Sequence, residues 1–191
     1  MELRNSLFFK IKDMNCEFRT LNEMDVNIDY VDGLRKQTEY IKNIPSKITI
    51  SKQKEYVNNV LSSEDNTICG LFINDALVGT SGIQSSTRFL EYIDAPAEYV
   101  STIGIFVFNS SDRGKGLGKT LVWAATYLYH KYTAEVWFGA GMARDNISSA
   151  NSFLSCGYRI VMDNEASYKV VLNISQLIKP DFIVYDELHR I

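Results

Sequence analysis

Residues 112–123 read Asp-Arg-Gly-Lys-Gly-Leu-Gly-Lys-Thr-Leu-Val-Trp, three alternating glycines set among Arg113, Lys115 and Lys119. That combination is chemistry for holding an anion. Glycine lets a backbone approach a ligand closely, and the first turn of a helix offers amide donors without intrahelical partners at a partial positive charge. A phosphate or pyrophosphate suits such a loop, and two parses compete. The ending Gly118-Lys119-Thr120 resembles a nucleoside triphosphate loop, which needs another glycine five residues earlier, where this chain has Arg113. The chain after the loop also lacks a series of parallel strand–helix units and an aspartate-ended strand to hold magnesium. Parsed from its arginine, the loop is R-x-x-G-x-G, with Arg113, Gly116 and Gly118 between an apolar strand and a long helix. The bland alternative is a glycine-rich turn that only starts a helix.

Other residue types bound the chemistry. Cys16, Cys69 and Cys156 are odd in number and widely spaced, so they read as reduced thiols rather than disulfides or zinc ligands. Cys156 beside Gly157 reads as a core thiol, and His130 and His189 have no metal-ligand spacing, so no metal is expected. The formal charge is −3, with 20 Lys+Arg against 23 Asp+Glu and no basic cluster, which argues against nucleic acid as a partner. Lys10 and Lys12 interrupt the N-terminal apolar run, so it is not a signal peptide. No stretch approaches the roughly 18 apolar residues of a spanning helix, so no membrane partner is expected and the predicted compartment is the cytoplasm.

The elements that must position the loop follow from periodicity. A short strand is predicted at 16–21, then a helical region around 24–42 ended by Pro45. A helix at 49–63 has Thr49 or Ser51 as its cap and Tyr56, Val57, Val60 and Leu61 on one face. Strands at 67–73 and 76–83 meet at an Asn74-Asp75 turn, and a polar and aromatic segment, 84–99, precedes the apolar strand 100–108. After the loop, Leu117, Leu121, Ala124 and Leu128 make an amphipathic helical stripe. A strand at 134–142, a helix at 146–157 closed by Gly157, strands at 158–162 and 167–174, and a tail at 175–191 complete the chain. There is no internal repeat or low-complexity linker. The order predicts a single α/β domain over 1–191: one mixed, twisted β-sheet flanked by helices, with the tail as an extension.

The segment 103–125, Ile-Gly-Ile-Phe-Val-Phe-Asn-Ser-Ser-Asp-Arg-Gly-Lys-Gly-Leu-Gly-Lys-Thr-Leu-Val-Trp-Ala-Ala, resembles the acyl-CoA-binding segment of the GNAT superfamily of N-acyltransferases, whose signature is [QR]-x-x-G-x-[GA]. Residues 146–158, an Asn opening a helix that ends in Gly-Tyr, are similar to the superfamily's second segment. Upstream, 30–41, 49–57 and 70–83 are similar to the branch of ribosomal-protein and sugar acetyltransferases, so the resemblance covers roughly 16–173. It implies an enzyme using acetyl-CoA as co-substrate. Ile105, Phe106 and Val107 would pair with the pantetheine arm, and Arg113, Gly114, Lys115, Gly116, Leu117, Gly118 and Lys119 would bind the pyrophosphate. Asn146 would hydrogen-bond the pantetheine and Phe153 would pack near its thiol end. The cofactor would enter a splay between strand 100–108 and strand 134–142.

Acetyl transfer to an amine needs a neutral nucleophile, a donor for the thioester oxygen and an acid for the departing thiolate. Many members of the superfamily place a tyrosine acid four residues before the Gly-aromatic pair; here that residue is Phe153. The resemblance implies Ser149 in its place, with Ser148 and Ser152 as rivals and a plain first-turn serine as the alternative. Glu98 is the first candidate base, ahead of Glu135, Asp94 and Glu91, and a water chain needs none of them. Phe89, Tyr92, Asp94 and Tyr99 either line the acceptor site or cover the sheet. The acceptor expected is a small-molecule primary amine, an amino sugar or nucleotide-linked amino sugar, and a homodimer is allowed. The rivals are a protein N-terminal acetyltransferase and a non-catalytic acyl-CoA-binding module.

Overall fold

A computed structural model describes residues 1–3, 5–35, 48–112 and 114–190. Its strands are β1 (Asn5–Ile11), β2 (Met14–Thr20), β3 (Asn66–Ile73), β4 (Ala76–Ser86), β5 (Val100–Val107), β6 (Trp137–Ala143), β7 (Arg159–Asp163), β8 (Ser167–Asn173) and β9 (Ile183–Arg190). Its α-helices are α1 (Ile28–Arg35), α2 (Ile50–Leu61), α3 (Leu117–Thr133) and α4 (Ile147–Ser155). The strands form one sheet in the order β7-β8-β6-β5-β4-β3-β2-β1-β9. Among the described residues every neighbouring pair is antiparallel except β5–β6.

Local chemistry fixes the turns. Asn74 and Asp75 both take positive φ (47° and 67°), the two-residue hairpin geometry whose twist matches the flanking strands. The Asn74 carbonyl oxygen of the side chain accepts from Asn15 N–H at 3.3 Å, which ties the β3–β4 turn to the start of β2. Thr49 caps α2, its hydroxyl accepting from Lys52 N–H. Alternation along the strands then sorts side chains between faces. Ile83, Ile103, Ala140 and Val170 meet α3 and α4. Ile68, Phe72 and Phe106 meet α1 and α2, while Phe89, Val100 and Val171 make a third cluster.

Three expectations need revision. The predicted strand at 16–21 is the second strand, preceded by β1, whose alternation is masked because Phe8 is also apolar but faces outward, edge-on to His189 of β9. The tail expected as an extension supplies β9, which pairs with β1 and closes the far edge of the sheet. The helical region around 24–42 contains a 3-10 turn at Glu23–Asp25 and then α1, and its part beyond residue 35, with Pro45, lies outside the described residues. The tail also explains why α3 buries more than the predicted stripe. Ile174, Leu177 and Phe182 pack on the same cluster, so Val122, Trp123, Ala125 and Tyr129 are buried along with Leu117, Leu121, Ala124 and Leu128.

Candidate active site

β5 and β6 pair only at Ser101↔Phe138 and Thr102↔Gly139. Beyond that point β5 stays with β4 as far as Gly79↔Val107, and β6 stays with β8 as far as Ala143↔Ser167. The two halves of the sheet part like a V. Residues 103–106 of β5 therefore have no partner strand on the side of β6. Backbone donors and acceptors without a partner strand in such a slot are open to a ligand or to water.

Each arm of the V leads into a helix. Between β5 and α3 lies the glycine loop, where Gly114 and Gly116 both take positive φ (77° and 87°) and Gly116 is the left-handed N-cap of α3. Thr120 N–H donates to Gly116 O at 3.0 Å, so the amides of Leu117, Gly118 and Lys119 stand ahead of the first helical rung. The three glycines have different reasons to be glycine. A Cβ on Gly114 would meet nothing, one on Gly116 would lie 2.7 Å from the Phe182 ring, and one on Gly118 would lie 2.5 Å from Ser152 Oγ. The last two are required by the tail and by α4. The Lys115 ammonium lies 2.8 Å from Asp112 Oδ1, and Lys115 and Lys119 are both exposed. Arg113 lies outside the described residues.

After β6, Asn146 caps α4, its side-chain oxygen accepting from Ser149 N–H at 3.2 Å. Ser149 is half-buried and faces the cleft described below, and no hydrogen bond ties its hydroxyl among the described residues. Its rivals are placed otherwise: Ser152 Oγ donates to Ser148 O at 2.9 Å, and neither lines the cleft. Phe153 is buried, with its ring edge-on to Tyr158 at 5.0 Å. Tyr158, 2.8 Å from Thr126 Oγ1, has its phenol pushed well above the usual range by burial, so it stays protonated and engaged.

The slot opens into a cleft of about 1480 Å³ that passes from Asn146, Ser149 and Phe153, by Ile105, to the α2 side of the sheet. Gly82 and Gly104 face each other across the β4–β5 register, and a Cβ on either would meet nothing within 4 Å, so the floor there is bare backbone. Tyr56 and Arg88 line it as well. Phe106 and Val107 do not; Phe106 packs with the α1–α2 cluster. Of the segment 84–99, Phe89 both lines the cleft and covers the sheet, its ring over Gly139.

None of the carboxylates considered as a base is in the lining. Glu98 is exposed before the start of β5, and Glu135 accepts from Val136 N–H at 3.1 Å as β6 begins. Glu91 lies 3.7 Å from Lys169 Nζ, and Asp94 is exposed. The carboxylates in the lining are Asp145 and Glu165; the sequence offers Asp145 only as an alternative cap to Asn146 and Tyr56 only as part of a helix face, and does not single out Glu165, Gly82, Gly104 or Arg88. Glycines inside a strand pattern, as in Gly-Thr-Ser-Gly at 79–82, were the available signal.

Among the described residues no group of three or more His, Cys, Asp or Glu is placed to hold a metal ion, and no helix is long and apolar enough to cross a membrane. The three cysteines are free and buried. Burial pushes the thiols up from 9.0, to about 11 for Cys16 and about 12 for Cys69 and Cys156. Above pH 9 the unfolded chain releases these protons first, so their contribution to stability is complete below pH 9 and is lost as pH rises through the folded values. At pH 8 a maleimide is expected to leave the native protein unmodified and to label all three thiols in denaturant; labelling of the native protein at the denatured rate would contradict their burial.

No protein-family model matches the chain, and no curated protein matches it by sequence. Solved structures do match. RimJ of Mycobacterium smegmatis in complex with CoA-disulfide is similar over 93% of this chain and 90% of its own, with a TM-score of 0.73 and 12% identity. Aminoglycoside acetyltransferase AAC(6')-Ib in complex with coenzyme A and kanamycin is similar over 84% of this chain and 96% of its own, with a TM-score of 0.65 and 19% identity. A GNAT-family acetyltransferase from Streptococcus pneumoniae is similar over 83% of this chain and 99% of its own, with a TM-score of 0.63 and 14% identity. The mixed sheet, splayed between β5 and β6 and flanked by helices, is the fold that this chain shares with these acetyltransferases.

Proposed function

We propose that the chain is an acetyl-CoA-dependent N-acetyltransferase acting on the primary amine of a small molecule, an amino sugar foremost, by direct transfer. The observation that carries this reading is the splay itself: it opens into a cleft lined by Ile105, Asn146 and the untied Ser149, and the helix-start amides of α3 follow the same end of β5, outside that lining. A helix-capped, partly cationic loop suits a pyrophosphate, and a strand edge without a partner suits an extended amide-bearing arm. We place the protein in the cytoplasm, where three unpaired thiols persist.

The co-substrate supplies an acetyl group activated as a thioester. In the proposed step the neutral amine forms a C–N bond to the acetyl carbon as the C–S bond breaks, the amide keeps the acetyl group, and the sulfur leaves with the electron pair of the broken bond. Ser149 gives that sulfur its hydroxyl proton and recovers one from water, and the amine's surplus proton passes to water in the open cleft. Glu98, exposed and outside the lining, is not given the role of base. Asn146 holds the first turn of α4, and therefore Ser149, in place.

Phe153, standing where many GNAT enzymes have their tyrosine acid, favours a second reading, a module that binds acyl-CoA without catalysis. Coenzyme A release measured over a panel of amines separates the two, since tight CoA binding with no turnover of any amine would favour the module. Binding to the native state alone raises apparent stability by about 2.7 kcal/mol at a hundredfold excess over Kd, so CoA without magnesium is expected to raise the melting temperature measurably. Stabilisation by Mg-ATP and not by CoA would overturn both readings and restore the triphosphate parse of the loop.

A further inference from the structure

We infer that the acceptor carries an anionic group, a carboxylate or a phosphate, remote from the nitrogen that is acetylated, and that Arg88 receives it. This inference rests on the N-acetyltransferase reading above and adds a chemical class of substrate to it. The part of the cleft on the α2 side of the sheet is floored by Gly82, Gly104, Gln84 and Thr102, and its charged side chains are Arg88 and Lys169. No carboxylate lines that part. Asp145 and Glu165 line the other end, one beside the start of α4 and one in the β7–β8 turn.

The two cations differ in availability. Lys169 is already engaged: its ammonium is 3.3 Å from the Tyr92 hydroxyl and 3.7 Å from Glu91, and it lies over the Tyr92 ring. Arg88 has no ion pair, side-chain hydrogen bond or ring contact among the described residues. Its backbone is nevertheless held in place. Arg88 N–H donates to Ser86 Oγ at 3.2 Å, and the next residue, Phe89, is buried with its ring against Gly139. An anchored backbone carrying an untied guanidinium at the wall of a cleft is arranged to take an anion by two parallel N–H donors.

Charge decides between amine classes. A polyamine or aminoglycoside would bring several ammonium groups beside the unpaired Arg88 guanidinium, in a part of the cleft whose lining holds no carboxylate for them. A molecule with one amine and one anion meets the opposite pattern. The amine and the anion belong to opposite ends of such a molecule. The bare backbone of Gly82 and Gly104 leaves room for its body, and half-exposed Tyr56 offers an aromatic face.

The test uses matched pairs on the full chain: glucosamine against glucosamine 6-phosphate, and 1,5-diaminopentane against 5-aminopentanoate, with spermidine and kanamycin alongside. The anionic member of at least one pair is expected to show the higher kcat/KM, and which pair responds tells phosphate from carboxylate. Arg88→Ala should raise KM for the anionic member by about ten- to a hundredfold, with an unchanged Kd for acetyl-CoA and an unchanged melting temperature, and Arg88→Lys should recover part of the loss. Preference for spermidine or kanamycin, or a pair ratio untouched in Arg88→Ala, would overturn the inference. Calorimetric titration of the glucosamine phosphate and of 5-aminopentanoate without acetyl-CoA reads the site apart from turnover. Binding abolished by Arg88→Ala with no CoA release by the wild type would support the anion site and sink the transferase reading. No binding of either anion to the wild type, with other amines turned over, would sink the anion site and leave the transferase reading standing.

Discussion

Ser149→Ala is expected to lower kcat by about 10²- to 10³-fold, the range for losing one positioned proton donor, with no loss of affinity for acetyl-CoA. The substitution removes the hydroxyl alone. The Ser149 backbone N–H that Asn146 caps remains, and alanine is the better helix former at this first-turn position, so the melting temperature should hold or rise slightly. A serine that only served the helix would show the reverse, with altered stability and unaltered turnover. Ser148→Ala is the control, because Ser148 is exposed and outside the cleft, and its kcat should stay at the wild-type value. The measurement is steady-state CoA release at saturating acetyl-CoA and amine, with calorimetric Kd for CoA on each variant. A Ser149→Ala enzyme turning over within twofold of wild type would remove the serine from the mechanism.

Why Ser149 lines the cleft while Glu98 does not is a matter of strand polarity. The glycine loop and α4 both follow the C-terminal ends of their strands, so a strand–loop–helix pattern puts them on the same end of the sheet. Glu98 precedes β5, and the eight residues of that strand place it about 25 Å from the loop at 3.4 Å per residue. Nearness in sequence to the central strand says nothing about which end of it a residue occupies. The loop, α3 and α4 were legible because each carries a local signature, a glycine spacing, an apolar stripe or an Asn cap. The cleft floor was not, because it depends on register: Gly82 lies opposite Gly104 only when β4 pairs β5, and Arg88 faces the same space only because Phe89 is folded onto Gly139. β1 and β9 were hidden for a related reason. Their pairing spans nearly the whole chain, and outward Phe8 and Val184 blur the alternation that would have announced them.

The tail gives the other large effect. Gly157→Ala is expected to destabilise the fold by about 2–4 kcal/mol, well beyond a simple loss of glycine freedom. Gly157 sits at φ +94° just after α4, and an added Cβ would fall on the backbone carbonyl oxygen of Gln176. That atom cannot rotate away as a side chain could. It belongs to the strap that leaves β8, and the next anchor of the strap is close by, where Ile178 N–H donates to Cys156 O at 3.0 Å. Moving the strap shifts Phe182, the ring against Gly116, and so disturbs the N-cap of α3. The melting temperature should fall by about 5–15 °C for a chain of this size, and affinity for CoA should weaken even at temperatures where the variant is fully folded. Gly114→Ala is the comparison: φ is +77° but the added Cβ meets nothing, so its cost should be limited to the backbone strain of about 1 kcal/mol. Thermal unfolding of the two variants side by side checks the point, because equal destabilisation would mean that the strap yields freely and does not brace the loop.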